Sequence, residues 1–457
     1  MDKSLCEYFY SPDESKGHKC GYCKAPEGSV SQGMWAHKLT CEDYQDMIDR
    51  GWRRSGKYCY KPIMDRTCCP LYCIRCEAAD FKLSHSHKSV LKKMSNYLVK
   101  SKGADEQIKP SSDSSPAKSE KKAVQPGSGA DPAKAPCRKA KMIRQEKRQA
   151  KAAAKQASIG DTSTNDKPSS TDCTGSSKTA DIFKIGPDGR KPIEMFLDIP
   201  EGSTPHSHKL EIKLIQSSPP SSEFKATFST SYQLFKKYQM AVHQEKEEDC
   251  DEKGFRRFLC DSPLTPGAGP SGWPCGYGSY HQHYLIDGKL VAVGVIDILP
   301  NCLSSVYVYY DVEYNFLSLG VYSALQEITM TRSLYVKDPD RFKYYYMGYY
   351  VHSCPKMRYK GEYTPSFLLC PKSYRFVPIE TCLPKIEASK YSRLCDEDTA
   401  EETPNEWFNS IIVLFQKALF PYEVLTSIVG GRFDAKVKEW ASFVGPNVGK
   451  RMILVLS

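Results

Sequence analysis

Two pairs of closely spaced cysteines near the start of the chain are the residues best suited to chemistry. Cys20 and Cys23 are separated by two residues, and Cys68 and Cys69 are adjacent. Each pair can present both of its sulfurs to one metal centre, and the two pairs together complete a four-thiolate shell. Such a shell suits zinc or an iron–sulfur cluster. The pattern therefore predicts a metal centre that the fold assembles from two distant segments.

A third cysteine pair competes for the second half of this shell. Cys73 and Cys76 are also separated by two residues, so either they or the adjacent pair can complete the site. The chain has 19 cysteines, an odd number, and shows neither an apolar run of membrane-spanning length nor a signal-peptide core. We therefore expect thiols in a reducing compartment, namely the cytoplasm with the nucleus as a second location.

Composition divides the 457 residues into four regions. Residues 1–100 are rich in cysteine, and residues 181–395 hold most of the strand and helix patterns. Residues 101–180 contain no aromatic residue and carry +7 of the net charge of +10, which predicts a disordered basic linker. Import into the nucleus and tethering of RNA are further roles that such a basic segment could have. Residues 396–457 are predicted to add a helical extension.

The order of predicted elements in the third region indicates the fold class. Two apolar runs flank Asp287-Gly288, which is a strong hairpin signal. A strand over 305–311, a helix over 317–330 and a strand over 344–350 follow. This order matches the core of the acetyltransferase-like (GNAT) fold, so we predict an α+β protein with a GNAT-like acyltransferase domain. The turn at 315–320 lacks the glycine-rich loop that binds the pyrophosphate of coenzyme A, which favours another acyl donor.

Several long motifs, in order, resemble the eukaryotic arginyl-tRNA–protein transferases. In the first half they are Cys20-Gly21-Tyr22-Cys23, the segment 51–56, Cys68-Cys69-Pro70, the segment 74–76 and the segment 86–88. In the second half they are the segments 258–260, 276–279, 297–300, 318–322 and 349–361. The resemblance covers about two-thirds of the chain and omits the basic linker.

The resemblance implies an enzyme that moves arginine from arginyl-tRNA to the α-amine of proteins beginning with Asp, Glu or oxidised Cys. The added arginine then marks those proteins for ubiquitin-dependent degradation. It also implies an iron–sulfur or other metal centre at Cys20, Cys23, Cys68 and Cys69. The donor is an activated ester, so the enzyme must align the amine, remove a proton and stabilise an oxyanion.

Two carboxylates and one histidine are the candidate catalytic groups. Asp297 ends an apolar strand, where it is either a base or amine anchor, or a turn-stabilising residue before Pro300. Asp311 presents the same two alternatives at the end of the next strand. The histidine is His283, which shares one face of its strand with His281. These two residues either relay a proton, contact the 3′ end of the tRNA or have a structural role.

Positive charge is expected where an acidic N-terminus binds. The cations that lie within the matched motifs and are candidates for this role are Arg75, His87, Lys88, Lys356, Arg358 and Lys360. Each of them is alternatively a solvated surface charge.

Other residues are candidates for contact with tRNA. Arg53 and Arg54 adjoin Trp52 and are expected to hold phosphates, unless they form a surface turn. Tyr277 and Tyr280 lie on a glycine-rich loop and are expected to stack on the terminal adenosine, unless they pack in the core.

Two other classes of function remain open at the level of sequence. One is a non-catalytic RNA-binding metal protein that keeps the transferase architecture. The other is an acetyltransferase that uses coenzyme A, which the missing glycine-rich turn disfavours. Transfer of labelled arginine distinguishes an arginyltransferase from both.

Overall fold

A computed structural model describes residues 3–10, 17–99, 191–197, 208–271, 273, 275–397 and 407–457. The basic linker predicted over 101–180 lies outside the described residues. The described strands are β1 (Leu5–Tyr8), β2 (Ser31–Thr40), β3 (Arg53–Ser55), β4 (Tyr58–Pro62), β5 (Tyr72–Glu77), β6 (Leu210–Ser218), β7 (Leu264–Thr265), β8 (Gly278–Ile286), β9 (Lys289–Leu299), β10 (Cys302–Tyr310), β11 (Tyr344–Tyr350), β12 (Ser366–Leu369), β13 (Phe376–Pro378), β14 (Ile412–Phe415), β15 (Ala418–Pro421) and β16 (Ile453–Leu456).

The α-helices of the same described ranges vary from 4 to 19 residues in length. They are α1 (Cys41–Ile48), α2 (His85–Val99), α3 (Glu194–Leu197), α4 (Ser222–Tyr238), α5 (Glu252–Phe255), α6 (Leu319–Lys337), α7 (Pro355–Arg358), α8 (Ile379–Ala388), α9 (Tyr422–Val429) and α10 (Asp434–Arg451). None of them combines the length and the apolarity that crossing a lipid bilayer requires.

The strands form two mixed sheets. The first has the order β15-β14-β16-β1-β2-β4-β3, with β7 added beside β2. The second has the order β13-β12-β5-β11-β10-β9-β8-β6. The two sheets and their helices confirm a mixed α and β architecture.

The sheets do not follow the domain boundaries expected from composition. Strand β5 belongs to the cysteine-rich region 1–100, yet it lies in the second sheet between β11 and β12. Strand β7, from the third region, pairs in parallel with β2 of the first. The described parts of both regions accordingly form one compact unit. Residues 1–100 are therefore not a separate small domain in this structure.

The C-terminal region also differs from the expected helical extension. It contributes α9 and α10, but also the strands β14, β15 and β16. Strand β16 pairs in parallel with β1, which brings the last residues of the chain against the first. Burial alternates along β16, with Leu454 and Leu456 buried. The strand has only four residues, which is too short for the sequence pattern to distinguish a strand from a helix.

The predicted hairpin is present and begins the part of the fold that forms the site. Asp287 and Gly288 both have positive φ, as a two-residue turn of type I′ requires, and they join β8 to β9. Strand β10 follows antiparallel to β9, then α6 and β11. Strands β10 and β11 are parallel but pair only from Cys302–Tyr344 to Ser304–Tyr346. Beyond this short contact the two strands separate, and a gap opens between them.

Candidate active site and metal centre

A cavity of about 470 Å³ lies where β10 and β11 separate. Ser304 to Val308 of β10 line one side, and Tyr345, Met347, Gly348 and Tyr349 of β11 contribute to the other. The beginning of α6 closes one end through Gly320 and Ser323. Because helix N-termini favour negative charge, this end suits an oxygen that gains charge during acyl transfer.

Residues of the cysteine-rich region complete the cavity. They come from the loop that carries the first cysteine pair, from α1, and from β3 and β4. Nine tyrosines line the cavity, namely Tyr22, Tyr44, Tyr60, Tyr238, Tyr307, Tyr345, Tyr349, Tyr359 and Tyr363. Tyrosine rings provide both apolar surface and a hydroxyl, so the walls can pack against a nucleoside or peptide and still form hydrogen bonds.

Two cations in the cavity wall lack a carboxylate partner among the described residues. Arg53 is almost fully buried, and its guanidinium donates to the carbonyl oxygens of Ile48, Trp52 and Gly348 at 2.8–3.5 Å. Its Nε has no hydrogen-bond partner in the described part of the chain. Lys360 Nζ donates to the carbonyl oxygen of Tyr349 at 2.9 Å. Burial, and the charge of Arg53 nearby, lower the pKa of Lys360 to about 8.

Lys360 thus lies at the expected kind of site, whereas the other predicted acceptor-binding cations do not line the cavity. Arg75 is held between the rings of Tyr344 and Phe376, with its Cζ 3.5 and 3.7 Å from their centroids, and donates to the Tyr346 hydroxyl. Lys356 and Arg358 are exposed on α7.

The two candidates on α2, His87 and Lys88, are also not among the residues that line the cavity. His87 packs against the Tyr363 ring, and its Nδ1 accepts a hydrogen bond from the backbone of Ser84. Burial lowers the pKa of His87 to about 4, so the ring is neutral at pH 7 and offers no positive charge. The Lys88 ammonium lies 5.8 Å from the centroid of the Phe196 ring.

Asp297 and Arg54 form a buried ion pair with each other. Arg54 Nη2 lies 2.6 Å from Asp297 Oδ1, and Arg54 Nε lies 2.8 Å from Oδ2. The Ser279 hydroxyl also donates to Asp297, at 2.7 Å. Asp297 is fully buried and does not line the cavity. This corrects two expectations, because Asp297 is not free to act as a base and Arg54 is not free to bind a phosphate.

Asp311 and His283 likewise have structural surroundings. Asp311 caps the turn at Glu313 and pairs with Lys237 at 2.7 Å and Lys289 at 2.9 Å. Burial raises the pKa of Asp311, but the hydrogen bonds from both lysines outweigh it and hold the pKa below its ordinary value. His283 is buried on β8, and burial lowers its pKa to about 3. Neither residue lines the cavity.

The aromatic residues expected to stack on tRNA are core residues instead. Tyr277 packs against Trp273 and Phe342, and its hydroxyl accepts a hydrogen bond from Arg341 at 2.6 Å. The Tyr280 hydroxyl donates to the carbonyl oxygen of Gly276 at 3.0 Å. Both side chains are buried, so the packing alternative describes them.

One buried carboxyl beside the cavity was not predicted from the sequence. Glu327 lies on α6, with 1% of its surface exposed. Its Oε2 accepts a hydrogen bond of 2.7 Å from the hydroxyl of Tyr345, a residue that lines the cavity. The available signal was a polar stripe at four-residue spacing, Ser323-Glu327-Thr331, on a helix face that is otherwise apolar.

The four cysteines of the predicted shell do come together. The Sγ atoms of Cys20, Cys23, Cys68 and Cys69 all lie within 4.8 Å of one another. Gly28 makes the approach possible, because a Cβ on it would lie 2.4 Å from Cys68 Sγ. Four sulfurs at this separation form a donor set that fits a metal ion or cluster with thiolate ligands.

The rival pair is arranged differently. Cys73 and Cys76 are three positions apart on β5, so their side chains point to opposite faces of the sheet. Cys73 packs with Tyr349 and Leu369. The two thiols therefore cannot complete one shell together.

The metal centre and the cavity share a wall. Tyr22 lies between Cys20 and Cys23 in sequence and lines the cavity. Met357, another lining residue, packs in the same apolar cluster as Cys20 and Cys69. The loop that would hold a metal therefore also shapes the cavity.

Comparisons with known proteins agree with the geometry. The family model described as "Arginine-tRNA-protein transferase, N terminus" matches residues 18–89, and "Arginine-tRNA-protein transferase, C terminus" matches residues 230–370. These ranges contain all four clustered cysteines and most of the cavity wall.

Named relatives extend over the full length. An arginyl-tRNA–protein transferase 1 of Drosophila melanogaster is 36% identical over 100% of both chains. One of Arabidopsis thaliana is 34% identical over 82% of this chain and 74% of its own. An aspartate/glutamate leucyltransferase of Campylobacter jejuni is 38% identical over 20% of this chain and 35% of its own. The chain is therefore a transferase enzyme and belongs to the arginyl-tRNA–protein transferase family.

Proposed function

We propose that this enzyme transfers arginine from arginyl-tRNA to the α-amine of proteins that begin with Asp, Glu or oxidised Cys. The observation that carries the proposal is a pair of cations, the buried Arg53 and the half-buried Lys360, that line the cavity without a carboxylate partner among the described residues. A buried charge is costly when unpaired, and an acidic side chain entering the cavity would pair with both. The name of the Campylobacter relative, which contains aspartate and glutamate, is consistent with acidic acceptors.

The donor would bind at the end of the cavity formed by the N-terminus of α6, away from Arg53 and Lys360. The gap between β10 and β11, closed by the N-terminus of α6, is the place where a GNAT-like fold binds its acyl donor, and we infer a GNAT-like catalytic core on that basis. The donor in our proposal is the arginyl ester of tRNA rather than an acyl-coenzyme A. Tyrosine rings along the walls could stack on the terminal nucleoside of the tRNA.

The chemistry needs positioning more than activation. The ester is already activated, so aminolysis is favourable once the amine is deprotonated and aligned with the carbonyl carbon. Arg53 and Lys360 would hold the acceptor through its acidic side chain, which places its α-amine near the open gap. The N-terminus of α6 would stabilise negative charge on the carbonyl oxygen.

Further parts of the proposal concern the metal and the setting. We propose an iron–sulfur cluster, or zinc, at Cys20, Cys23, Cys68 and Cys69, where it would fix the loop that carries Tyr22. The enzyme would act in the cytoplasm and the nucleus, and its products would enter ubiquitin-dependent degradation.

Transfer of labelled arginine tests the proposal directly. The full-length enzyme is given purified arginyl-tRNA and four acceptor peptides that differ only in a first residue of Asp, Asn, Glu or Gln. We expect label on the Asp and Glu peptides, with no ATP required, and little on the amides. Equal labelling of all four peptides would refute the acidic acceptor site, and no labelling of any would refute the transfer.

A further inference from the structure

The Glu327 carboxyl lies directly behind the wall of the cavity. Ser323 and Ala324, one turn earlier on α6, line the cavity, and helical side chains point back toward the helix N-terminus. Glu327 therefore extends toward the cavity but stops short of it, behind two lining residues that form hydrogen bonds with its carboxyl. These are Tyr345, at 2.7 Å, and Ser305.

The surroundings of this carboxyl contain hydroxyls but no positive charge. The titratable groups that face it from neighbouring elements are Tyr284, Tyr345, Tyr359 and Tyr363. Among the described residues, no lysine, arginine or histidine pairs with it. Burial raises its pKa to about 7, only partly opposed by hydrogen bonds from Tyr345 and Ser305. A carboxyl with this pKa exists in both protonation states near neutral pH.

Close packing fixes the position of the carboxyl. Gly294 of β9 lies against it, and a Cβ on Gly294 would be 2.8 Å from Glu327 Oε1. One oxygen is thus held against the sheet while the other accepts from Tyr345. A glycine in the middle of a buried strand costs stability, and its presence here leaves room for a polar group that the core does not need for packing.

We propose that Glu327 is the proton acceptor and donor for arginyl transfer, acting through the hydroxyl of Tyr345, a residue of the cavity wall. This inference rests on the proposed function. Glu327 does not touch substrate, so it is a positioning and relay residue, whereas Tyr345 is the group that touches the reacting atoms.

The protons balance over one turnover. The acceptor nitrogen forms a bond to the ester carbonyl carbon, and one of its protons passes to the Tyr345 oxygen as the Tyr345 proton passes to Glu327. The bond from carbonyl carbon to ribose oxygen then breaks, and the proton returns from Glu327 through Tyr345 to that ribose oxygen. The products are an amide and a free ribose hydroxyl, and Glu327 is again ionised.

Single-turnover transfer to an Asp-starting peptide tests this relay. Glu327→Gln keeps the shape but cannot accept a proton, and Tyr345→Phe keeps the ring but interrupts the path. We expect each to lower the transfer rate about 100-fold, the low end of what acid–base catalysis contributes, without changing tRNA affinity. Glu313→Gln is the control, because Glu313 is an exposed carboxylate outside the cavity.

The pH profile separates a relay from a structural role. The ratio of wild-type rate to Glu327→Gln rate cancels the titration of the acceptor amine. A relay predicts that this ratio rises with pH through about 7, as the carboxylate forms. A ratio that is constant with pH, or a Tyr345→Phe enzyme with full activity, would overturn the inference.

Failure of the inference can be told apart from failure of the proposed function. If wild-type enzyme transfers arginine and both variants match it, only the relay is wrong. If wild-type enzyme transfers none, the proposed function is wrong. Infrared difference spectra would still test the carboxyl itself in that case. The signal of a protonated carboxyl near pH 7 should be present in wild-type enzyme and absent from Glu327→Gln. Its persistence in the variant would overturn the assignment of the titrating group to Glu327.

Discussion

Arg54 and Asp297 join the two sheets through a buried, bidentate ion pair. Arg54 belongs to β3 of the first sheet and Asp297 to β9 of the second, and their paired atoms lie 2.6 and 2.8 Å apart. Both side chains are almost completely buried. The pair connects positions 243 residues apart in sequence, next to the cavity that Arg54 helps to line.

Asp297→Asn should therefore destabilise the fold rather than remove a catalytic base. The change leaves the Arg54 guanidinium buried without its counter-charge, which typically costs about 3–5 kcal/mol. Urea unfolding should show a loss of this size. An Arg54→Met, Asp297→Leu double variant should recover part of it, because neither charge then remains unpaired. Full stability of Asp297→Asn with complete loss of transfer would instead restore Asp297 as a base.

Lys360→Met should weaken selection for an acidic acceptor. Removing one charge partner of a buried carboxylate costs at least about 2 kcal/mol, or roughly 30-fold in kcat/KM. We expect this loss for an Asp-starting peptide, with a much smaller effect for the Asn peptide. Lys356→Met, which removes an exposed cation on the same segment, is the matched control and should behave as wild type.

The preference for Asp over Asn should also depend on pH. The pKa of Lys360 is lowered to about 8, chiefly by burial, so its ammonium is present below that pH and lost above it. The ratio of kcat/KM for the two peptides should fall as pH rises through about 8, and the titration of their shared amine cancels in the ratio. Arg53 stays charged, so part of the preference should persist. A ratio that rises with pH would contradict the assignment to Lys360.

Metal content should follow the cysteines of the cluster. Cys20→Ser and Cys69→Ser each remove a buried thiolate from the four-sulfur set and should abolish stoichiometric metal in protein purified without oxygen. Elemental analysis and absorption spectra distinguish iron–sulfur from zinc. Cys73→Ser is the control and should retain the metal, since that thiol packs with Tyr349 and Leu369. Full metal in both cluster variants would place the ligands elsewhere.

Sequence patterns predicted the local features of this fold well. Asp287-Gly288 specifies its own turn, and alternating apolar residues around it specify β8 and β9. The four cluster cysteines were also found, because their residue type and spacing are unusual. Both cases depend on information carried within a few neighbouring positions.

Features that depend on contacts between segments far apart in sequence were not predicted. The placement of β5 between β11 and β12, and of β16 beside β1, follows from which edges the fold leaves open rather than from the residues of those strands. Arg53 and Arg54 are adjacent and alike in sequence, yet one faces the cavity without a counter-charge and the other meets Asp297. Adjacent side chains of a strand point to opposite faces, but the sequence does not show which face of β3 meets Asp297 of the second sheet. Glu327 was missed for the same reason, since nothing local places Tyr345 beside it.

The titration of Glu327 should make the free energy of unfolding depend on pH, and this can be measured without tRNA. Its pKa is about 7 in the folded protein, raised by burial from an ordinary value near 4.5. Between these values the folded state holds a proton that the unfolded state has released. The free energy of unfolding should therefore fall as pH rises from about 4.5 to 7, by up to roughly 1.4 kcal/mol per pH unit.

Glu327→Gln should remove this dependence, because glutamine does not titrate in either state. Unfolding by urea at several pH values, compared between the two proteins, isolates the contribution of one side chain. The difference between wild type and variant should shift in favour of the variant as pH rises to 7, and then stay constant. If the two proteins keep the same difference from pH 4.5 to 8, the Glu327 carboxyl is ionised throughout. The rise through about pH 7 that the relay predicts for the ratio of wild-type to Glu327→Gln transfer rates would then have no titrating carboxyl behind it.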